Sequence, residues 1–496
     1  MDLYFSDYFK VKEKDLLKYG AFNVSLVSDL PLFIDPFLLF NSKKNKYKQL
    51  HDDMIKYLEF LREKSSTNKI SEGALNAWYV FHEVVQNWLG FSVVGNSGRG
   101  LGMDFAKSLN ENLYLIFKDF GNESITKGSH LEKLCLIKDG VGRDNISDFT
   151  TNLIKNFLLG YTQTFAISYI DISLRNKRRV PRTCFNYKTE TWEEAEFDLP
   201  LFEKDFVILT PRELLTKDDT WINKKDLLEN FEQIPDSISD GQLRFQVNNY
   251  FQSQLARPQD IKKEKDPTKQ EKMSAAFSTI QSFPQLIDYY IKVKEDNGDV
   301  AESISNQKVI ISETIYINNV QNFISGLQKT EFYASAESSY DEAKKKIIIL
   351  KGYIENNDGY KIFYDEKTGE RIKGEKDLQL LFGLVCHEST TFDVNREPNL
   401  GRGPVDYKLS KGSADKTLVE FKLASNKKLK NNLQNQVEIY QKANQTSSSF
   451  KVIIYFTEEE HRKVVDILNK LDMAGKDNII LIDGRSDNKI SASNVK

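Results

Sequence analysis

The chain has 496 residues and a formal net charge of −3, with 40% hydrophobic and 28% charged residues. This balance is ordinary for a soluble globular protein, and it excludes both global disorder and a uniformly basic protein that coats nucleic acid. The length exceeds what one hydrophobic core organises, so we expect about two to four domains.

The cysteines and the N-terminus indicate a cytoplasmic protein. Cys135, Cys184 and Cys386 lie far apart and form no CxxC pair, which argues against a disulfide framework or a zinc knuckle. The first residues are acidic and aromatic where a signal peptide is basic and then apolar, and no run of about 18 apolar residues occurs. We predict a reducing, cytoplasmic location and no membrane partner.

The first part of the chain predicts helices mixed with short strands. Alternating apolar residues over 21–40 are typical of short strands broken at prolines. Apolar residues at helical spacing predict helices at 47–64, 71–90, 149–159 and 224–231. Strands are predicted at 165–172 and 206–209. These elements indicate a mixed α/β or α+β region.

A polar segment over 256–272 loses almost every apolar residue, which is typical of a solvated linker or an exposed helix start. A helix over 273–293 and strands at 309–317 and 345–354 follow it. We predict an N-terminal α/β region for recognition or regulation (1–255), a linker and intermediate segment (256–365) and a C-terminal domain (366–496).

The C-terminal elements follow the order of a compact α/β unit. A helix at 375–389 precedes a strand that ends near Asp406 and a strand over 417–423. The remaining predicted elements are a helix at 429–443, a strand at 450–456, a helix at 458–471 and a strand at 478–483. Helices between strands permit parallel crossovers, so we expect a mixed sheet flanked by helices. The predicted fold class of the whole chain is multidomain α/β of the mixed α+β type.

A charged pair interrupts the apolar strand over 417–423. Residues two apart in a strand share a face, so Glu420 and Lys422 project together. If the loop over 410–416 turns the chain back, Asp406 lies beside Glu420. Two clustered carboxylates repel unless a cation lies between them, and their hard oxygens favour Mg²⁺ or Mn²⁺. Such a metal activates an attacking water at a scissile phosphate, where Lys422 orients that water or stabilises the developing charge.

These motifs resemble the PD-(D/E)xK nuclease superfamily, whose members have a restriction-endonuclease-like core. The resemblance rests on Pro404-Val405-Asp406 in place of Pro-Asp, on Glu420-Phe421-Lys422 as ExK, and on Glu375 in the preceding helix. Gln436 and Tyr440, one helical turn apart, look like the QxxxY element of the RecB-like branch. The resemblance covers the C-terminal region and not the N-terminal two thirds.

The resemblance implies a Mg²⁺-dependent endonuclease that hydrolyses phosphodiester bonds of nucleic acid, with DNA as the favoured substrate. The implied catalytic residues are Asp406, Glu420 and Lys422. The implied metal ligands are Glu375, Asp406 and Glu420. The implied substrate contacts are Gln436 and Tyr440. By analogy, the biological role is prokaryotic restriction or antiphage defence, with a homo-oligomer or a defence-system protein as partner.

The lysines after the ExK strand add positive charge. Residues 401–450 include nine Lys or Arg and four Asp or Glu. Lys427 and Lys428 in this window suit phosphate contacts with a substrate, although a solvated loop is the commoner explanation of such a run.

Several of these residues also have a structural interpretation. Glu420 and Lys422 could form an ion pair on an edge strand, and Glu375 would stabilise a helix N-terminus whatever its function. Glu388 and Glu397 compete with Glu375 for the metal role. Tyr440 would otherwise be a core aromatic.

Two N-terminal segments and two rival functions remain. The glycine-rich segment 95–105 suits a phosphate or a tight turn, and it lacks the Lys-Ser/Thr of a P-loop. The basic segment 175–182 suits nucleic acid or an exposed hairpin with acidic neighbours. The rivals to a nuclease are a non-catalytic nucleic-acid-binding or scaffold protein, and an N-terminal nucleotide sensor that has the nuclease as its effector.

Overall fold

The computed structural model describes residues 3–66, 70–90, 101–116, 123–137, 142–255, 267–334, 336–387, 393–396, 407–411, 415–434 and 448–489. Over these ranges the protein is a mixed α+β structure, which confirms the predicted fold class. None of the helices in these ranges is long and apolar enough to cross a membrane.

The first 255 residues are mainly helical. The helices are α1 (Phe5–Tyr8), α2 (Glu13–Tyr19), α3 (Pro36–Phe40), α4 (Asn45–Ser66), α5 (Glu72–Trp78), α6 (Met103–Ile116), α7 (Lys133–Ile137), α8 (Arg143–Leu153), α9 (Lys155–Tyr169), α10 (Lys224–Glu229) and α11 (Gly241–Leu255). The strands are β1 (Leu32–Ile34), β2 (Arg175–Asn186), β3 (Thr191–Phe202), β4 (Asp205–Phe206) and β5 (Leu215–Lys217). β1 pairs with β5, and β2, β3 and β4 form a separate antiparallel sheet.

The basic segment 175–182 lies in the β2–β3 hairpin, and three of its cations pair with acids on β3. Arg175 pairs with Asp198, while Lys177 reaches Glu196 at 3.4 Å and Arg179 reaches Glu194 at 3.3 Å. The exposed-hairpin interpretation is therefore confirmed. These pairs neutralise much of the positive charge that would otherwise attract a polyanion.

The middle of the chain is helical where strands were predicted. The helices are α12 (Lys269–Ser282), α13 (Leu286–Asp296), α14 (Gly298–Glu313), α15 (Asn319–Leu327) and α16 (Ser339–Asn356), and a π-helical turn (Thr314–Asn318) joins α14 to α15. The strands predicted at 309–317 and 345–354 are therefore wrong. Short apolar runs do not distinguish a strand from a buried helix, and the buried positions Ala343, Ile347, Leu350 and Ile354 follow helical spacing.

Four further element predictions in the described ranges fail. The strand predicted at 206–209 overlaps β4 only at Phe206. The strand at 165–172 is largely the end of α9. The helix predicted over 71–90 begins after the capping residue Ser71 as expected but ends at Trp78. The helix predicted over 273–293 is interrupted near Pro284, because proline removes a backbone donor, so α12 and α13 are separate.

The C-terminal region forms the predicted mixed sheet flanked by helices. Its strands are β6 (Asp393–Arg396), β7 (Tyr407–Lys411), β8 (Asp415–Leu423), β9 (Ser449–Tyr455) and β10 (Ile479–Asp483), in the spatial order β10-β9-β8-β7-β6. β6, β7 and β8 pair antiparallel, whereas β9 and β10 continue the sheet in parallel. The helices are α17 (Glu375–Val385), α18, described over 429–434, and α19 (Glu458–Lys470).

One hydrophobic core joins the N-terminal elements to the C-terminal sheet. It contains residues from Leu3 to Ile482, including Tyr316 after α14 and Phe382 on α17. The Phe382 ring stacks on Phe421 of β8 with centroids 4.2 Å apart and planes at 11°. This stack attaches α17 to the central strand and thereby positions the start of the helix beside the end of the strand.

We predict that Phe421→Ala lowers the free energy of unfolding by about 3–5 kcal/mol, because the change removes a buried aromatic ring and leaves a cavity. Chemical denaturation followed by circular dichroism measures this loss. Phe245→Ala on α11 is the matched control, since that ring is 66% exposed. Equal losses in the two variants would contradict the core assignment.

Candidate active site

The central strand β8 presents two charged side chains on one face. Val419, Phe421 and Leu423 enter the main core on the other face. Glu420 and Lys422 are nevertheless buried, with only 8% and 6% of their surfaces exposed. The ion pair that the structural interpretation expected is present. Its expected location on an edge strand is wrong, because β8 has β7 on one side and β9 on the other. The predicted shared face is confirmed.

The Lys422 ammonium lies between two carboxylates. Its Nζ is 3.2 Å from Oε1 of Glu420 and 3.5 Å from Oε2 of Glu375. Glu375 is the first residue of α17, so its position follows from the packing of that helix on β8. The structure thus brings together three of the residues that the sequence singled out, one from the helix and two from the strand.

Asn426 connects Glu375 to the lysine turn that follows β8. Its side-chain Nδ2 donates a hydrogen bond to Oε1 of Glu375, while its Oδ1 accepts one from the Lys428 backbone N–H at 2.8 Å. Lys427 and Lys428 are exposed in this turn. The sequence analysis did not identify Asn426, whose contact with Glu375 spans 51 residues of chain.

Lys451 is a second residue that the sequence analysis missed. It is directly opposite Glu420 in the parallel β8–β9 ladder and only 3% exposed. Its Nζ donates a hydrogen bond of 2.8 Å to the backbone carbonyl of Leu433 in α18. Burial lowers the pKa of the Lys451 ammonium to about 8, although nearby Glu420 acts in the opposite direction. The sequence did contain a signal for this residue, because Lys451 is the one charged residue in the apolar segment "FKVIIYF".

Some predicted site residues cannot be placed. Asp406, Gln436, Tyr440, Glu388 and Glu397 lie outside the described residues, as does most of the glycine-rich segment 95–105. The described part of the chain contains no group of three or more His, Cys, Asp or Glu residues that could hold a metal ion.

The carboxylates of Glu375 and Glu420 fit a hard divalent cation in their chemistry. Mg²⁺ binds proteins through one or two carboxylates and completes its coordination with water and substrate phosphates. Both carboxylates contact the same ammonium, so they are held close to one another without an uncompensated repulsion. A cation would therefore join a site in which one positive charge offsets only one of two negative charges.

Two family models match the chain. Residues 10–223 match a domain of unknown function, DUF8370, and residues 339–458 match another, DUF8371. The second match begins at α16 and includes Glu375, Glu420 and Lys422. No curated protein and no solved structure matches the chain.

We predict that the stability of the wild-type protein relative to Lys451→Met rises as the pH increases from 8 to 10. In this range the unfolded lysine, with a pKa near 10.5, retains a proton that the folded one has lost. The unfolded state then binds more protons, so the free energy of unfolding increases with pH. Urea denaturation at pH 7.5 and 10 measures the difference.

Lys430→Met, at an exposed position of α18, provides the control. It should leave the pH dependence of the free energy of unfolding as it is in the wild type. An identical pH dependence in the wild type and Lys451→Met would show that Lys451 titrates as it does in water.

Proposed function

We propose that the C-terminal unit is a metal-dependent endonuclease that hydrolyses phosphodiester bonds, with DNA as its substrate. The observation that carries the proposal is the contact of Lys422 with both Glu375 and Glu420 at the centre of a mixed sheet. By analogy with the PD-(D/E)xK superfamily, we place the protein in prokaryotic antiphage defence or restriction, in the cytoplasm.

Asp406 completes the proposed catalytic set because Pro404-Val405-Asp406 resembles the Pro-Asp element of the superfamily. Its neighbour Tyr407 pairs with Val419, which precedes Glu420. Asp406, Glu420 and Glu375 are the proposed metal ligands.

A bound Mg²⁺ or Mn²⁺ would supply an activated water and stabilise negative charge on the phosphate. Lys422 would orient the water or stabilise the charge that develops on the phosphoryl oxygens, because its ammonium is a preorganised donor in a desolvated site. Glu375 and Glu420 hold this ammonium in place. Asn426 in turn restrains Glu375.

The lysine turn supplies the proposed substrate contacts. Lys427 and Lys428 are exposed next to the buried cluster, where a phosphate backbone can approach them. The Lys428 backbone N–H donates a hydrogen bond to Asn426, and the Asn426 side chain donates one to Glu375. The lysine turn is therefore connected to Glu375 through a single residue. We extend the substrate contacts to Gln436 and Tyr440 because of their resemblance to the QxxxY element.

The second candidate is a non-catalytic nucleic-acid-binding or scaffold protein that retains the fold. Its supporting observation is that the buried Lys422 is already charge-compensated by Glu375 and Glu420. Such a network can exist for structure alone. Cleavage assays distinguish the two candidates, since a scaffold binds nucleic acid without turnover.

We predict that the purified protein cleaves DNA with Mg²⁺ or Mn²⁺ and loses this activity in excess chelator, because its proposed ligands are carboxylate oxygens. Linear, circular and single-stranded DNA, with RNA in parallel, would identify the substrate. Cleavage of the circular form would establish endonuclease activity. Full activity in chelator would contradict the metal requirement.

We predict that Lys422→Ala lowers the single-turnover cleavage rate by about 10² or more, as expected for the loss of a positioned electrostatic group. The change also leaves two buried carboxylates without their ammonium, so the melting temperature should fall. Lys422→Arg separates the two effects, because it retains the positive charge but presents a planar group of different geometry. The Lys422→Arg protein should fold but cleave DNA more slowly than the wild type.

Lys416→Ala is the matched control for this prediction. Lys416 is on the same face of β8, six residues from Lys422 and therefore about 20 Å away. Its replacement should leave the cleavage rate nearly unchanged. Wild-type turnover in folded Lys422→Ala or Lys422→Arg would remove Lys422 from the mechanism.

A further inference from the structure

A cavity of about 820 Å³ opens between the N-terminal helices and α14, far along the chain from the proposed active site. Its volume is within the range of small-molecule sites, which is roughly 300–1,000 Å³. Its lining includes Lys18, Tyr19, Lys46, Tyr161 and Arg212. None of these residues belongs to the C-terminal sheet.

The lining has an excess of positive charge. It contains five basic side chains and three acidic ones. Lys44 contacts Glu213 at 2.7 Å and Lys43 contacts Asp299 at 3.5 Å. Among the described residues, no carboxylate lies within salt-bridge distance of Lys18 or Lys46. The Lys46 ammonium lies over the rings of Tyr47 and Phe157, at 4.7 and 5.7 Å from their centroids. These contacts leave its positive charge, like that of Lys18, without a neutralising carboxylate among the described residues, so both ammonium groups can attract an anion that enters the cavity.

Arg212 adds a half-buried cation to the same wall. Its guanidinium contacts Glu313 at 2.9 Å, and this carboxylate is not part of the lining. The contact fixes the guanidinium in one orientation, and a guanidinium carries five N–H donors, so donors beyond this contact remain. Guanidinium and ammonium groups that converge on one cavity are typical of phosphoryl recognition.

An aromatic pair lies beside these charges. The rings of Tyr19 and Tyr161 have centroids 4.5 Å apart. Each hydroxyl donates a hydrogen bond to the backbone carbonyl of the other residue, at 2.7 Å from Tyr19 and 3.2 Å from Tyr161. Gly20 follows with φ at +88°, a conformation that favours glycine and ends α2 at this point. The pair is thus a rigid, partly exposed aromatic surface.

We propose that this cavity binds a phosphorylated small molecule of nucleotide size. Lys18, Lys46 and Arg212 bind its phosphoryl groups, and the Tyr19–Tyr161 pair contacts its organic part. The excess positive charge of the lining attracts the ligand, and the size of the cavity limits it to a small molecule. The site is independent of the proposed nuclease activity, so its test does not require cleavage.

The test is isothermal titration calorimetry on the full chain in excess chelator, which prevents metal-dependent turnover. The probes are ATP, GTP and inorganic tripolyphosphate. We expect saturable binding to the wild type and an affinity at least about tenfold lower in Lys46→Glu, because a charged hydrogen-bond donor is replaced by a repelling group. Lys18→Glu should weaken binding in the same way.

Lys48→Glu is the matched control, since Lys48 is exposed on the same helix as Lys46 but outside the lining. It should retain wild-type affinity, and unchanged melting curves would establish that all variants are folded. Tighter binding of ATP or GTP than of tripolyphosphate would assign the base to the tyrosine pair. Equal affinities would contradict the proposed contact of the tyrosine pair with the organic part of the ligand.

Three outcomes would overturn the proposal. The first is no binding of any probe to the wild type. The second is an equal loss of affinity in Lys46→Glu and Lys48→Glu. The third is that only a single-stranded oligonucleotide binds and that Lys46→Glu lowers its affinity. The surface would then be part of a nucleic-acid-binding site.

Discussion

The ammonium of Lys422 is the charge on which the C-terminal unit depends. It is buried at the centre of a five-stranded sheet, where a lone positive charge would be strongly destabilising. Glu420, two residues away on the same strand, and Glu375, from the start of α17, compensate it. This compensation requires α17 to lie with its first turn at the end of β8, and the ring stack of Phe382 on Phe421 holds it there.

The polar cluster of Lys422, Glu420 and Glu375 also includes Lys451, and apolar residues border it. Lys451 lies opposite Glu420 and donates to the Leu433 carbonyl, which ties the sheet to α18. Next to it, Leu429, Leu433 and Ile453 belong to a small hydrophobic cluster that α19 also covers. One face of the sheet therefore combines a few compensated charges with an apolar border, and this combination excludes water from the charges and strengthens their interactions.

The sequence predicted the C-terminal part well because its signals are local. The alternation around Glu420 and Lys422 shows which residues share a face. The elements predicted at 450–456, 458–471 and 478–483 match β9, α19 and β10 to within one residue at each end. Glu375 was identified through the family resemblance, whereas its contact with Lys422 depends on how α17 packs. Lys451 and Asn426 were missed because their roles come from the strand register and from a tertiary contact.

The failures in the middle of the chain have a common physical cause. The segments 309–317 and 345–354 are rich in isoleucine and other apolar residues, which suit a strand and a buried helix alike. Tertiary burial decided between them, since Val309, Ile315, Ile347 and Leu350 all enter the main core as helical residues. Intrinsic β preference is a weak constraint when a helix can bury the same side chains.

The rod formed by α14, the π-helical turn and α15 joins the two ends of the molecule. Tyr316 in the turn donates a hydrogen bond to Asp377, two residues after Glu375, and Val320 and Phe323 of α15 share the main core with α17. The C-terminal unit is therefore not a portable module. A fragment that began at α16 would expose the apolar residues that α15 covers, and a gene fusion could transfer the unit only together with a substitute for that helix.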